Sequence, residues 1–311
     1  MSKIFEALLR SVAERSGSPL SEAPDSVTEL LQQTETFQNS VVDGINHRVT
    51  EDNRTERLTS ISTTSSLASC STVVPSFPPE SRAITVTDPG SVAAENFRLL
   101  AVRLRNLGRH RELKRVLVTS AIPDEGKSVI ALNLAVTFAR YKQLRVLLVE
   151  GDLRRPEIRT SLRLPAMNGL SEWLLGEIPT TDIIHQVSSQ GLTFWLLPAG
   201  GPLSAPLELM QSDRLAALMD NLSESFDWII IDSTPILPVA DTSIWARLTQ
   251  GILMVVREGK TERRQLQKAL DGLDVSTLLG FVVNGSSKNE HESYYMYYGS
   301  AHNNGIHEQE G

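Results

Sequence analysis

The strongest constraint on the fold is the stretch RVLVTSAIPDEGKSVIALNLA at residues 115–135. It opens with a run of branched apolar residues, which is typical of a short strand buried in a parallel sheet. It closes with the apolar periodicity of a helix. Between the two lies a short loop that ends in Gly-Lys-Ser at residues 126–128. A strand, a loop of this length and a helix that begins at Lys-Ser are the arrangement of a phosphate-binding loop.

We expect this loop to bind the phosphates of a nucleotide. Backbone N–H groups can donate to phosphate oxygens, Lys127 can reach the β- and γ-phosphates, and the Ser128 hydroxyl can bind Mg²⁺. The common pattern has a glycine where this chain has Ala121, so a tight turn without a ligand is the alternative. The predicted nucleotide-binding residues are Ser120, Pro123, Asp124, Glu125, Gly126, Lys127, Ser128 and Val129.

Strands and helices alternate after the loop. This alternation predicts an α/β fold, a P-loop NTPase whose mostly parallel sheet has helices on both faces. Ligands of such sheets bind at the carboxyl ends of the strands. We predict strands at 115–119, 145–150, 193–197, 227–232, 251–257 and 278–283, and helices at 91–107, 127–141, 169–175, 204–223, 240–248 and 261–273.

Two of the predicted strands end in acidic residues. One runs into Glu150 and Asp152, and another ends in Asp232. A buried carboxylate is costly unless a cation or water meets it, and Mg²⁺ needs only one or two carboxylates besides phosphate. We predict that Ser128, Asp152 and Asp232 bind the metal. Asp152, with Glu150 as the alternate, would accept or orient the proton of an acceptor hydroxyl; the alternative is that these acids only cap the next helices.

Composition excludes several classes of protein. The net charge of -7 argues against a nucleic-acid binder, since phosphate contacts need a basic face. The single cysteine, Cys70, cannot form a disulfide within the chain, and no apolar run is long enough to span a bilayer. We therefore expect a cytoplasmic protein.

The pattern divides the chain into four segments. Residues 1–16 predict an amphipathic helix that either packs on its own domain or binds a partner or a membrane surface. Residues 17–89 are rich in Ser, Thr and Pro and indicate a disordered linker. The folded domain is predicted to span 90–284, and residues 285–311 are predicted to form a polar, flexible tail.

Four of the five tyrosines lie in this tail. Aromatic side chains on a polar tail bury little surface, so packing does not explain the cluster. It indicates a set of phosphoacceptors or a recognition peptide, with chance low complexity as the remaining alternative. The residues are Tyr294, Tyr295, Tyr297 and Tyr298.

These motifs together resemble those of the bacterial tyrosine kinases (BY-kinases) of capsular and exopolysaccharide synthesis. The family's loop SxxPxEGK[ST] is matched by SAIPDEGKS at 120–128, a form that normally lacks the first glycine. Its DxDxR motif is matched by VEGDLR at 149–154, and its third motif by IIIDSTP at 229–235. The tyrosine cluster lies where family members autophosphorylate.

The chain departs from the family pattern at three positions, of which Thr234, at the first proline of the family's Asp-x-Pro-Pro, is expected to be minor. Glu150 stands where the family has Asp, and phosphoryl transfer is sensitive to displacements of about 1 Å, so an ATP-binding assembly switch with weak or no kinase activity is the alternative. Ala101 replaces the last arginine of the ExxRxxR motif, which is linked to ring-shaped oligomers. A positioning ATPase of the MinD/ParA type is less favoured, because Ile122 stands where those proteins have a lysine.

The resemblance implies an ATP- and Mg²⁺-dependent protein-tyrosine autokinase that regulates polymerisation and export of exopolysaccharide or capsule. It implies the stand-alone form, which lies at the inner membrane through a separate transmembrane polysaccharide co-polymerase or activator. Its other implied partners are further copies of the chain, which phosphorylate one another, and a tyrosine phosphatase.

Overall fold

The computed structural model describes residues 70–141, 143–189 and 191–286. The predicted N-terminal helix, most of the predicted linker and the tyrosine cluster lie outside these residues. Among the described helices, none combines the length and the apolar character needed to cross a membrane.

One eight-stranded sheet forms the centre of the described fold. Its strands are β1 (Ser71–Val73), β2 (Arg115–Ser120), β3 (Val146–Glu150), β4 (His185–Ser189), β5 (Leu192–Leu197), β6 (Trp228–Asp232), β7 (Gly251–Arg257) and β8 (Leu278–Asn284). Their order across the sheet is β1-β4-β5-β3-β6-β2-β7-β8. All neighbours pair in parallel except β4 and β5. The predicted mostly parallel α/β sheet is therefore confirmed.

Helices cover both faces of this sheet. They are α1 (Ile84–Thr87), α2 (Val92–His110), α3 (Lys127–Ala139), α4 (Ile158–Ser161), α5 (Leu170–Leu174), α6 (Leu207–Met210), α7 (Asp213–Ser225), α8 (Asp241–Arg247) and α9 (Arg263–Asp271). Side chains of a strand alternate between faces, so Val116 and Val118 of β2 pack in one core with α2 and α3. Leu117 packs in the other core with α5, α7 and α8.

Helix α3 follows the phosphate loop and is buried along most of its length. Every residue from Ile130 to Ala139 is buried, which explains why its apolar side chains surround the helix instead of forming one stripe. Near its end, Phe138 stacks on Trp228 of β6 with ring centroids 4.3 Å apart. A helix fixed in this way holds its N-terminus, and hence the loop before it, in a defined position.

Residues 70–89 differ from the predicted linker, because they belong to this fold. Strand β1 pairs with β4, and the Ser71 hydroxyl lies 2.6 Å from Nδ1 of His185. The backbone N–H and the hydroxyl of Thr85 both donate to the buried Asn133 side chain of α3. The Ser/Thr-rich composition concealed this order, because these hydroxyls make specific hydrogen bonds that a composition average does not register.

Candidate functional site

The phosphate loop connects two elements with well-defined packing, β2 and α3. Its backbone takes left-handed conformations at Asp124, with φ of 60°, and at Gly126, with φ of 93°. Such turns direct successive N–H groups into a concavity that binds anions. Of the predicted nucleotide-binding residues, Ser120 ends β2, Pro123, Asp124, Glu125 and Gly126 lie in the loop, and Lys127, Ser128 and Val129 begin α3.

The Lys127 ammonium forms an ion pair with Asp152, with 3.1 Å between Nζ and Oδ2. Both side chains are largely buried, at 13% and 5% exposed. Burial alone would lower the pKa of Lys127, but the carboxylates of Asp232 and Asp152 outweigh it, and the pKa is raised. Lys127 is therefore a fixed positive charge at the end of the loop.

Asp232 ends β6 and is completely buried. Neither of its oxygens has a hydrogen bond of regular geometry among the described residues. Burial raises the pKa of Asp232 to about 7, Asp152 and Glu150 act in the same direction, and Lys127 and the nearby Ser128 hydroxyl oppose the shift only in part. A buried carboxylate without a regular hydrogen bond is costly. The nearby Lys127 charge compensates this cost only in part, so Asp232 is suited to an additional bound cation.

Ser128, Asp152 and Asp232 fit a hard divalent cation. All three offer oxygen ligands, and Asp232 has both oxygens available. No cluster of three or more acidic, histidine or cysteine side chains suited to a metal occurs in the described part of the chain. The protein ligands are therefore too few for a complete cage, as is usual for Mg²⁺, which takes its other ligands from phosphate and water.

Glu150 ends β3 beside Asp232 but makes a different set of contacts. One carboxylate oxygen accepts from the backbone N–H groups of Ile158 and Arg159, at 2.6 and 3.3 Å. The other accepts from Ala199 N–H at 3.1 Å. The burial of Glu150 raises its pKa although these N–H groups oppose the rise. Both oxygens are thus occupied in holding α4 and the segment after β5 against the sheet.

The Asp152 segment is braced by buried contacts with β6 and α8. The N–H of Gly151 donates to the Asp232 carbonyl at 2.7 Å, and Trp245 Nε1 donates to the Gly151 carbonyl at 3.1 Å. The guanidinium of Arg154 donates twice to the buried Asp241, at 2.6 and 3.1 Å. Sequence reasoning missed Asp241 and Trp245, because nothing in their local pattern ties them to a segment so far away along the chain.

We predict that Gly151→Ala lowers stability by about 1–3 kcal/mol through overpacking. A Cβ at this position would lie 2.7 Å from the Asp232 carbonyl oxygen and 2.8 Å from the Trp245 ring, and neither group can move freely. Calorimetry should show a melting temperature lower by roughly 3–10 °C. The control is Gly90→Ala, because a Cβ there meets nothing within 4 Å. Equal melting temperatures for the two variants would contradict the prediction.

The fold and the site together define a class of protein. A parallel sheet carries a glycine-lysine-serine loop between β2 and α3, with a lysine–aspartate pair and a buried aspartate at the carboxyl edge. This is the arrangement of a P-loop NTPase. The functional side chains that follow β2, β3 and β6 lie at one edge of the sheet, because neighbouring parallel strands have their carboxyl ends at the same edge.

Comparison with known proteins identifies the family of P-loop NTPases that this chain resembles. No protein-family model matches the chain. The tyrosine-protein kinase YwqD of Bacillus subtilis is 35% identical over 222 residues, which cover 71% of this chain and 92% of YwqD. The succinoglycan biosynthesis transport protein ExoP of Rhizobium meliloti is 33% identical over 216 residues, 68% of this chain and 27% of ExoP. The solved kinase domain of Escherichia coli tyrosine kinase ETK superposes with a TM-score of 0.59 at 25% identity, covering 66% of this chain and 82% of that one.

The chain belongs to the bacterial tyrosine-protein kinases. Its similarity to YwqD extends over nearly the whole of that protein.

Proposed function

We propose that this chain is an ATP- and Mg²⁺-dependent autokinase that phosphorylates the tyrosines of its own C-terminal cluster, one copy acting on another. The observation that carries the proposal is the convergence of Lys127, Asp152 and the completely buried Asp232 at the phosphate loop. The kinase names of the relatives support the same chemistry.

The phosphate loop and Lys127 bind the triphosphate. The loop N–H groups and the ammonium bind the β- and γ-phosphates and stabilise the negative charge that develops during transfer, which is usually the largest contribution to such catalysis. Ser128 and Asp232, with Asp152, hold Mg²⁺, which when bound neutralises charge on the phosphate oxygens. Regular elements already position their backbones, because Lys127 and Ser128 begin α3, Asp232 ends β6 and Asp152 closely follows β3.

Asp152 acts on the tyrosyl proton. Its Oδ1 accepts from the Arg155 N–H at 3.0 Å, while Oδ2 is paired with Lys127. A triphosphate gives Lys127 a competing anionic partner, and Oδ2 then becomes available to the acceptor hydroxyl. A free tyrosine has a pKa of about 10, so a positioned carboxylate contributes on the order of 100-fold or more to the rate.

Substitution of the two carboxylates at the end of β3 separates their roles. We expect Asp152→Asn to reduce phosphate transfer roughly 100-fold or more, because the proton acceptor is lost. Glu150→Gln places an amide N–H₂ against backbone donors and should cost about 1–3 kcal/mol of stability, while the rate per folded molecule stays within about threefold. Transfer rates and thermal melts of both variants give the comparison. If Glu150→Gln lost as much activity as Asp152→Asn, Glu150 would be the base.

The proposed function is tested directly on the C-terminal peptide. The purified protein is incubated with Mg-ATP, and phosphate is mapped by mass spectrometry after proteolysis. We expect phosphate on the cluster in the wild type and none in Y294F/Y295F/Y297F/Y298F, whose ATP binding remains intact. Tight ATP binding with an unmodified wild-type tail would contradict the proposed autokinase activity and favour an ATP-binding assembly switch.

Regulation of exopolysaccharide or capsule export is part of the proposal, and ExoP, a succinoglycan biosynthesis transport protein, supports it. Each phosphate adds about -1.5 to -2 charges to a chain whose net charge is already -7. A phosphorylated tail would be repelled by other acidic copies and leave their sites. A tyrosine phosphatase would restore the starting state.

The proposed partners are other copies of the chain and a separate transmembrane co-polymerase that recruits the kinase to the inner membrane from the cytoplasm. One observation supports self-association: α2 presents Leu99 and Val102, 42% and 43% exposed, on its outer side. On the same helix Arg98 pairs with Glu95. Apolar residues exposed beside charged ones are common at protein interfaces.

A further inference from the structure

Side chains at the carboxyl ends of β7 and β8, and in the connection after β7, hold one side of the phosphate loop, which we call its rear. Three consecutive loop carbonyls accept hydrogen bonds from side chains. The donors are the last residue of β7, a lysine in the connection between β7 and α9, and the last residue of β8. Lys260 Nζ donates to the Pro123 carbonyl at 3.1 Å, Arg257 Nη1 to the Asp124 carbonyl at 3.1 Å, and Asn284 Nδ2 to the Glu125 carbonyl at 2.8 Å.

The buried side chain of Glu125 makes a second set of hydrogen bonds that hold the loop. One of its oxygens accepts from the N–H of Ile122 at 3.1 Å, which closes the loop on itself. The other accepts from the hydroxyl of Thr261, and that hydroxyl in turn accepts from the N–H of Arg257 at 2.8 Å. Glu125 is completely buried, and Thr261 is only 7% exposed. A buried network of this kind restricts the loop to one conformation when all its members are satisfied.

The direction of these bonds determines what the loop presents in front. The N–H and C=O of a peptide unit point in roughly opposite directions, so carbonyls held at the rear leave N–H groups facing the concavity. The left-handed φ angles of Asp124 and Gly126 belong to the same conformation, and for a non-glycine residue such a conformation costs roughly 1–2 kcal/mol. A Cβ on Gly126 would lie 2.1 Å from Asn284 Nδ2, so the approach of Asn284 itself requires a glycine.

We propose that Asn284, Thr261 and Arg257 are positioning residues of this kinase, which hold the phosphate loop in the conformation that binds the β- and γ-phosphates. They contact the loop through its carbonyls and through Glu125, so we expect them to act through the loop amides. Their removal weakens ATP binding because the loop must then be ordered at the expense of binding free energy. This inference rests on the proposed ATP-binding function of the loop.

The test measures the dissociation constant of Mg-ATP by titration calorimetry, together with the melting temperature of the nucleotide-free protein. We expect Asn284→Ala and Thr261→Val each to weaken ATP binding about fivefold to tenfold, the equivalent of one lost hydrogen bond. Thr261→Ser keeps the hydroxyl and should restore affinity to within about twofold of the wild type. Titrations are run well below each melting temperature, so that only folded protein is compared.

Two controls match the chemistry of these changes elsewhere in the fold. Asn221→Ala alters an exposed asparagine on α7. Thr249→Val removes a buried hydroxyl that donates to the Ala246 carbonyl before β7. Both should bind ATP like the wild type. Thr249→Val also reports what the loss of a buried hydroxyl does to the melting temperature alone.

The results test two things separately: the clamp, by which we mean the positioning role of Asn284, Thr261 and Arg257, and the proposed ATP-binding function on which it rests. Wild-type affinity in both Asn284→Ala and Thr261→Val, or equal losses in Thr261→Ser and Thr261→Val, would overturn the positioning role while ATP binding stands. A wild-type protein that binds no Mg-ATP would overturn the proposed function, and the clamp with it. If ATP binding weakened in proportion to the fall in melting temperature across all variants, controls included, these residues would contribute only to the stability of the fold, and the positioning role would be overturned.

Discussion

Lys127→Met is expected to lower phosphate transfer from ATP to the tyrosine cluster by about 100- to 1000-fold. Methionine keeps most of the apolar stem but removes the ammonium that meets the developing charge, and the loss of one such group typically has this size. The rate is measured as incorporation of labelled phosphate into the tail at saturating Mg-ATP. Lys268→Met, at an exposed position of α9, is the matched control and should transfer phosphate at the wild-type rate.

The same substitution should also destabilise the nucleotide-free protein, for a reason independent of catalysis. Lys127 is the cation that faces both Asp152 and Asp232. Removal of one partner of a buried ion pair leaves an uncompensated charge and commonly costs about 3–5 kcal/mol. Urea unfolding at pH 8 should show this cost, and it should be smaller at pH 5, where Asp232 is protonated because its pKa is about 7. Full activity, or unchanged stability at pH 8, would show that Lys127 does not occupy this role.

The sheet was predictable where burial on both faces made strands uniformly apolar. The six predicted strands were recognisable because residues such as Ile229, Ile230 and Ile231 leave no other interpretation. Strand β4, with the sequence HQVSS, carries mostly polar residues and was missed. The helix predicted at 204–223 is two helices, α6 and α7, because the chain turns between Met210 and Asp213 although the apolar pattern continues.

The candidate site was predictable only as far as local motifs extend. The placement of Lys127, Asp152 and Asp232 at one edge follows from three motifs that each end a parallel strand. What each carboxylate touches does not follow, since the contacts of Glu150 with Ala199 depend on how the segment after β5 returns to the sheet. The rear contact from Asn284 was equally hidden, because it joins residues at separate strand ends.

Asp232→Asn should change the pH dependence of stability in the nucleotide-free protein. The carboxyl has a pKa of about 7 when folded and 3.8 as an ordinary aspartate. Between these values the folded state binds more protons than the unfolded state, so the wild type loses stability as the pH rises. The loss is complete above about pH 7 and amounts to at most about 4 kcal/mol. Asparagine does not titrate, so this part of the pH slope should disappear.

Urea unfolding at pH 5 and at pH 8, without nucleotide or Mg²⁺, measures that slope. The buried amide adds its own cost of about 1–3 kcal/mol at every pH, so the difference between the two pH values is the quantity to compare. Equal slopes in the variant and the wild type would contradict the prediction. We also expect phosphate transfer to fall at least about 100-fold, since Asp232 is proposed to hold the metal. A substitution that removes a destabilising charge and also abolishes activity would explain why this chain keeps a carboxylate in so unfavourable a place: its cost in the free protein is recovered when a cation binds.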